Sequence, residues 1–120
     1  MVLNNSKPRD FGYVERFVEP CILLLLSKES SHGYGLMEGL DKHCGEKVDI
    51  GNLYRTLRKM EKNEWIKSDW EKGRLGPDKR KYEITPKGKL VLKEAFSSLK
   101  NTQSLINRFF IGYKKVFGKE

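Results

Sequence analysis

The apolar residues Ile50, Leu53, Leu57 and Met60 recur at three- and four-residue steps, the spacing of one buried stripe on a helix. They organise the stretch 48–66, VDIGNLYRTLRKMEKNEWI, whose other faces carry Asn52, Tyr54, Arg55, Thr56, Arg58 and Lys59. Asp49 or Gly51 can serve as the N-cap side, and Asn63 can take the left-handed exit. Beyond it the period changes. Residues 65–71 alternate, with Ile66, Ser68 and Trp70 on one face, and residues 79–84 alternate with Arg80, Tyr82 and Ile84 together. The intervening KGRLGPD, residues 72–78, holds the Gly and Pro of a turn too long for a tight hairpin. The pattern predicts a helix followed by a basic-tipped β-wing.

Upstream, residues 1–13 offer few core positions apart from Phe11 and Tyr13 and read as an arm. The run CILLLL at 21–26 is apolar on all sides; with Val14, Phe17 and Val18 it reaches helical length, so a helix is expected at about 14–28. Pro20 suits its first turn, where the missing N–H has no intrahelical partner. A polar turn at 27–31 follows, and Ser30 or Ser31 can cap a second helix running from HGYG to about His43. Leu36, Met37 and Leu40 form its inward stripe. Gly35 and Gly39 each weaken that helix by roughly 1 kcal/mol relative to alanine, so tertiary packing must hold it. Residues 44–49 then turn the chain into the organising helix.

After the wing, ITPKGKL repeats the grammar of a helix start, with Thr85 as N-cap, Pro86 at the first helical position and Gly88 a local weakness. Leu92, Phe96, Leu99, Gln103, Ile106, Phe110, Tyr113 and Phe117 then follow a four–three alternation, a heptad seam with one polar member. One helix with such a stripe needs a partner, so a homodimer is expected. Its interface would be Leu92, Phe96, Leu99, Ile106, Phe110 and Tyr113, assisted by Cys21 and Leu24 of the very apolar first helix. The expected fold is mainly α with a small β-hairpin: an arm at 1–13, a winged helix-turn-helix domain at 14–85 and a long dimerisation helix at 86–120. No internal repeat or low-complexity segment is present.

Composition narrows the partners. One hundred and twenty residues supply one modest core, and the net charge of +8 favours a polyanion. Residues 67–89 hold eight basic and four acidic side chains, most of the basic ones in or beside the wing. No run approaches the ~20 apolar residues that span a bilayer, and the polar start lacks the apolar region of a signal peptide. A cytoplasmic protein with no membrane partner is expected. Cys21 and Cys44 have neither zinc spacing nor a disulfide framework and read as reduced.

Catalytic patterns are poor. His32 stands beside Ser30 and Ser31 without a third group to orient its ring. His43 and Cys44 are two metal ligands where a site needs three or four. Asp69, Glu71 and Asp78 lie on a charged hairpin, and no phosphate-cradling glycine motif is present. No enzymatic activity, cofactor or metal is expected.

Double-stranded DNA fits better. A helix of about four turns enters the major groove, where Asn52, Arg55, Thr56 and Lys59 can present donors to base edges and phosphates. Tyr54 can join them or pack its ring in the core with its hydroxyl at the surface. Arg74, Lys79, Arg80 and Lys81 suit phosphate or minor-groove contact, or guard an edge strand. The alternative to a DNA-binding regulator is a winged helix used for protein–protein contact or RNA binding.

The segments HGYGLMEGL (32–40), IGNLYRTLRKME (50–61), IKSDWE (66–71) and KRKYEITPKGKL (79–90) resemble, in order and spacing, the PadR family of winged helix-turn-helix transcriptional regulators. The resemblance covers about residues 20–92. It implies that the third helix enters the major groove, with Tyr34 among the DNA-contacting residues, and that the last helix pairs subunits. It also implies a repressor, with any effector bound near the dimer interface. The opening RFVEPCILLLL looks most like a branch labelled as responsive to polyhydroxybutyrate. Three positions depart from the family pattern: Gly35 replaces a frequent acidic residue, Lys81 a frequent aromatic, and Glu64 a helix-ending glycine, leaving Asn63 to supply that turn.

Overall fold

The computed structural model describes residues 17–118. The arm expected at 1–13 and the expected helical start at residue 14 lie outside them. The elements run α1 (Val18–Lys28), β1 (Ser31–His32), α2 (Gly33–Cys44), α3 (Ile50–Lys62), β2 (Ile66–Glu71), β3 (Lys79–Ile84) and α4 (Pro86–Phe117). A three-stranded antiparallel sheet in the order β1-β3-β2 completes a mainly α winged helix with a long C-terminal helix.

The core forms where the three short helices and the sheet turn their apolar stripes together. Cys21, Ile22, Leu23 and Leu26 of α1 meet Leu36 and Leu40 of α2, Leu53, Leu57 and Met60 of α3, and Ile66 and Tyr82 of the sheet. Leu24 of α1 stays outside it, exposed. Cys21, expected at a subunit interface, is 4% exposed within its own chain, because α2 and α4 pack against α1 there and supply cover that no local pattern reveals.

Local chemistry sets the helix ends. Asp49 caps α3 and Thr85 caps α4, each accepting from a backbone N–H three residues on, with Pro86 in the first turn of α4. The cap of α2 is His32 in extended conformation, whose side chain makes no bond to the helix end, not Ser30 or Ser31. The reason is that Ser31 and His32 are drawn into β1, pairing with Tyr82 and Lys81 of β3. A two-residue strand carries no period, so the alternation rule could not find it. The exit of α3 also differs from expectation. Asn63 keeps right-handed helical angles, and Glu64 takes the positive φ of 67°. There the N–H of Glu64 bonds the Glu61 carbonyl at 2.9 Å and that of Trp65 the Met60 carbonyl at 3.0 Å, satisfying two orphan carbonyls. Those bonds and the burial of Ile66 just beyond offset the roughly 1–2 kcal/mol that a left-handed residue with a Cβ costs.

Gly88 is not a weakness but a requirement. A Cβ there would lie 2.1 Å from the Trp65 carbonyl oxygen, so only glycine lets the first turn of α4 lie against the chain between α3 and β2. Past Leu99 the helix leaves the body of the protein, and every residue from 101 to 118 is exposed. The molecule is accordingly elongated, 61 × 36 × 24 Å.

Candidate nucleic-acid interface

The N-terminal turn of α3 holds a chain of hydrogen bonds built by its own cap. Asp49 Oδ1 accepts from the Asn52 backbone N–H at 2.8 Å, and Asp49 Oδ2 accepts from Asn52 Nδ2 at 2.7 Å. The amide thus turned presents Asn52 Oδ1 to Arg55, which donates to it through Nη2. Asn52 and Arg55 are both exposed, opposite the buried Leu53–Leu57–Met60 stripe. A guanidinium held at one edge keeps its remaining donors aimed outward with less rotamer freedom to lose on binding. The sequence showed Asp49 as a cap only; its second oxygen, which orients the Asn52 amide, became visible in the fold.

The other α3 candidates fare differently. Lys59 Nζ donates to Glu19 Oε2 of α1 at 3.1 Å, which ties it to the flank of the domain. Thr56 is half-buried. Tyr54 is half-buried against the core, with its hydroxyl over Gly33 at the start of α2, where a Cβ would come within 2.5 Å of it. Its ring therefore packs against the core while the residue still borders the cavity between α3 and the wing. Arg58, on the polar face of the helix but not among the residues singled out for the major groove, is exposed one turn beyond Arg55 and borders a cavity of about 550 Å³ between α3 and the wing. Tyr34, exposed at the start of α2, and Arg80 and Trp70 of the wing share that border. The signal that could have found Arg58 is its helical position: it flanks the face opposite the stripe on the side where the wing returns.

The wing is braced rather than free. Arg80 Nε donates to Ser68 Oγ at 2.7 Å, and Ser68 Oγ donates to Glu61 Oε2 of α3 at 2.8 Å. The same guanidinium lies 5.1 Å above the Trp70 ring. Glu71 accepts from His32 Nε2 at 2.8 Å and pairs with Lys81 at 3.5 Å. The His32 hydrogen bond first, and the Lys81 charge second, hold the Glu71 carboxyl below the usual carboxylate range. Arg80 therefore ties the hairpin to α3, Glu71 ties it to β1, and Lys81 pairs across it, while Arg74 and Lys79 stand exposed on it.

Among the described residues no group of three or more His, Cys, Asp or Glu is placed to hold a metal ion. Nor is any helix among them long and apolar enough to cross a membrane.

The model of the transcriptional regulator PadR-like family matches residues 22–94, which run from α1 through the wing into α4. The chain belongs to that family. The probable transcriptional regulator Rv1176c of Mycobacterium tuberculosis is 34% identical to it over 73 residues. Those residues make up 59% of this chain, which spans only 39% of that relative's length. Among solved structures, a PadR-like transcriptional regulator of Bacillus cereus (BC4206) superposes with a TM-score of 0.69 at 33% identity, covering 78% of this chain and 90% of that one. A potential transcriptional factor, TM0937, superposes with a TM-score of 0.74 at 31% identity over 94% of this chain and 99% of its own. The PadR-like fold therefore extends along α4 beyond the segment that the family model matches. None of these relatives is described as polyhydroxybutyrate-responsive, so the likeness of RFVEPCILLLL to that branch gains no support from them.

Proposed function

We propose that this PadR-like regulator is a homodimeric repressor that reads DNA with α3 and steadies the duplex with its wing. The observation that carries the reading is the Asp49–Asn52–Arg55 chain, which orients an exposed guanidinium on the face of α3 opposite the core. Bacillus subtilis PadR, 23% identical and superposing with a TM-score of 0.62 over 68% of this chain and 47% of its own, has been solved in complex with operator DNA. A shared fold that binds operator DNA supports a DNA-binding role here. Residues 14–85 would form the reading domain and 86–120 the dimerisation helix. In a two-fold dimer the two α3 helices face successive major grooves, so the operator is an inverted repeat with half-sites about one turn apart. A cytoplasmic location accompanies this role. Any effector would enter the apolar groove of about 650 Å³ lined by Phe17, Leu24, Leu92, Phe96 and Leu99.

The test is a footprint on DNA adjoining the chain's own gene, followed by Arg55→Ala and Arg58→Ala on the protected site. Both side chains lie off the buried stripe, so folding should survive. Removing a base-edge contact costs roughly 1–3 kcal/mol and relaxes preference at one base pair. Unchanged affinity in both variants would remove α3 as the reader.

The wing should behave differently. Neutralising Arg74 and Lys79 lowers affinity for all sequences alike, since phosphate contacts position a protein without reading bases. The slope of log affinity against log salt shrinks by about one for each phosphate no longer neutralised. A slope that does not move would make the wing a solvated edge.

A further inference from the structure

The two thiols, 23 positions apart in sequence, line one groove where α1 packs on α2. Cys21 lies on the buried face of α1; Cys44, the final residue of α2, is half-buried and packs against the same cluster. Both line one wall of the 650 Å³ groove between α1 and the first turns of α4, with Lys89 and Lys93 on its border. Burial first, and the hydrogen-bonding approach of the Cys44 thiol second, push the Cys21 thiol up to about 12. The environments of the two sulfurs therefore differ: one meets solvent in the groove, and the other is shielded beside it.

The end of α2 is a single turn, pinned by the Gly45 and Glu46 N–H groups on the Leu40 carbonyl. Cys44 ends its helix, Gly45 follows at a φ of 67°, and no regular structure holds the chain again until α3. Closing the bond of about 2.05 Å that a disulfide requires would move this last turn and the loop beyond it rather than the body of α2.

We propose that Cys21 and Cys44 form an oxidisable dithiol, closed to an intrachain disulfide by hydroperoxides, which couples oxidation to DNA binding by drawing the end of α2 toward α1. Cys44, as its thiolate, attacks a peroxide oxygen; the O–O bond breaks, water leaves after taking up a proton, and Cys44 becomes a sulfenic acid. The Cys21 sulfur then attacks the Cys44 sulfur, the S–O bond breaks, and the departing hydroxide takes the Cys21 proton as a second water. Two thiols are oxidised to one disulfide, and one hydroperoxide is reduced to two waters in the case of hydrogen peroxide. The coupling to DNA rests on the function proposed above. Its route is short: the other end of α2 carries Tyr34 and supports Tyr54 of α3, and the same groove borders the α4 face proposed for dimerisation.

The experiment treats the reduced full chain with hydrogen peroxide, quenches in denaturant with a maleimide, and reads mass and operator affinity. In the wild type both alkylation sites should vanish together without a link between chains. Cys44→Ser should keep Cys21 alkylatable, and Cys21→Ala should stop at a Cys44 sulfenic acid that dimedone traps. Operator affinity of the oxidised wild type should fall about tenfold, within the usual range for coupled sites, and return with dithiothreitol. Affinity of Cys44→Ser should not respond to peroxide. Two alkylatable thiols after treatment, or a disulfide between chains, overturns the dithiol. A disulfide that forms without changing affinity overturns its coupling to DNA. Reduced wild type without operator affinity overturns that coupling together with the DNA-binding reading, while the mass readout still decides the disulfide.

Discussion

Replacing Ile106 with glutamate should convert the proposed dimer to a monomer and abolish tight operator binding. The seam expected on α4 is uncovered in a single chain: Phe96 is 65% exposed, Ile106 44% and Phe110 54%. The apolar surface is broader than that seam, since Leu105, Phe109, Ile111 and Val116 are exposed beside it. The aromatic rings cluster on the helix, Phe109 with Phe110 at 6.0 Å and Tyr113 with Phe117 at 4.8 Å between centroids. A stripe of this extent marks an interaction surface, and in the proposed dimer a second copy of the same helix would close it with two-fold symmetry. A carboxylate at position 106 would then be buried without a partner in each subunit. Such a charge costs about 3 kcal/mol or more, which is over a hundredfold in the dissociation constant of the dimer. Sedimentation at micromolar concentration reads the result. A monomeric wild type, or a dimeric variant with full operator affinity, would sink the dimer.

Gly88→Ala should be the most damaging single methyl group that can be added to the body of the protein. Its Cβ would stand 2.1 Å from the Trp65 carbonyl oxygen, 3.0 Å from the Trp65 carbonyl carbon and 2.9 Å from an Ile84 side-chain carbon. That carbonyl oxygen cannot step aside freely, because it accepts from the Thr85 N–H at 3.0 Å and the Thr85 hydroxyl at 2.9 Å. Gly88 itself donates its N–H to the same hydroxyl, capping α4. The methyl group must therefore push α4 off the α3–β2 junction or break its cap. Overpacking of this kind costs typically 1–3 kcal/mol, and the loss of a cap adds about 1 kcal/mol. The denaturant midpoint should fall accordingly without a change in slope. A variant as stable as the wild type would show that the start of α4 is free to move. Alanine has the better intrinsic helix propensity by about 1 kcal/mol, so the sign of the result separates local preference from tertiary contact.

That contrast marks how far the chain could be read without its fold. Long amphipathic periods were legible: the stripe Ile50–Leu53–Leu57–Met60 became the inward face of α3, and the alternation around Ile66 and Tyr82 became β2 and β3. Caps with their own side-chain chemistry, Asp49 and Thr85, were legible for the same reason, since each bond lies within a few residues. Of the candidate interface, the exposed pair Asn52 and Arg55 could be read from the face opposite the stripe. The sequence could not show which basic residues were already engaged. Lys59 meets a partner 40 positions away, and Arg80 meets one 12 positions away.

Whatever depends on near neighbours was therefore settled along the chain itself: three-, four- and two-residue periods, caps, the basic wing and the order of segments that places it among PadR-like regulators. Contacts between distant segments set the rest. They drew Ser31 and His32 into a strand and gave the left-handed turn to Glu64 rather than Asn63, because satisfied carbonyls outweigh a residue's own preference. They buried Cys21 in its own domain and made Gly88 indispensable. One cause is common to all four. Backbone conformation is chosen locally at differences of about 1 kcal/mol, whereas packing and hydrogen bonding between elements add several such terms at one residue and override it.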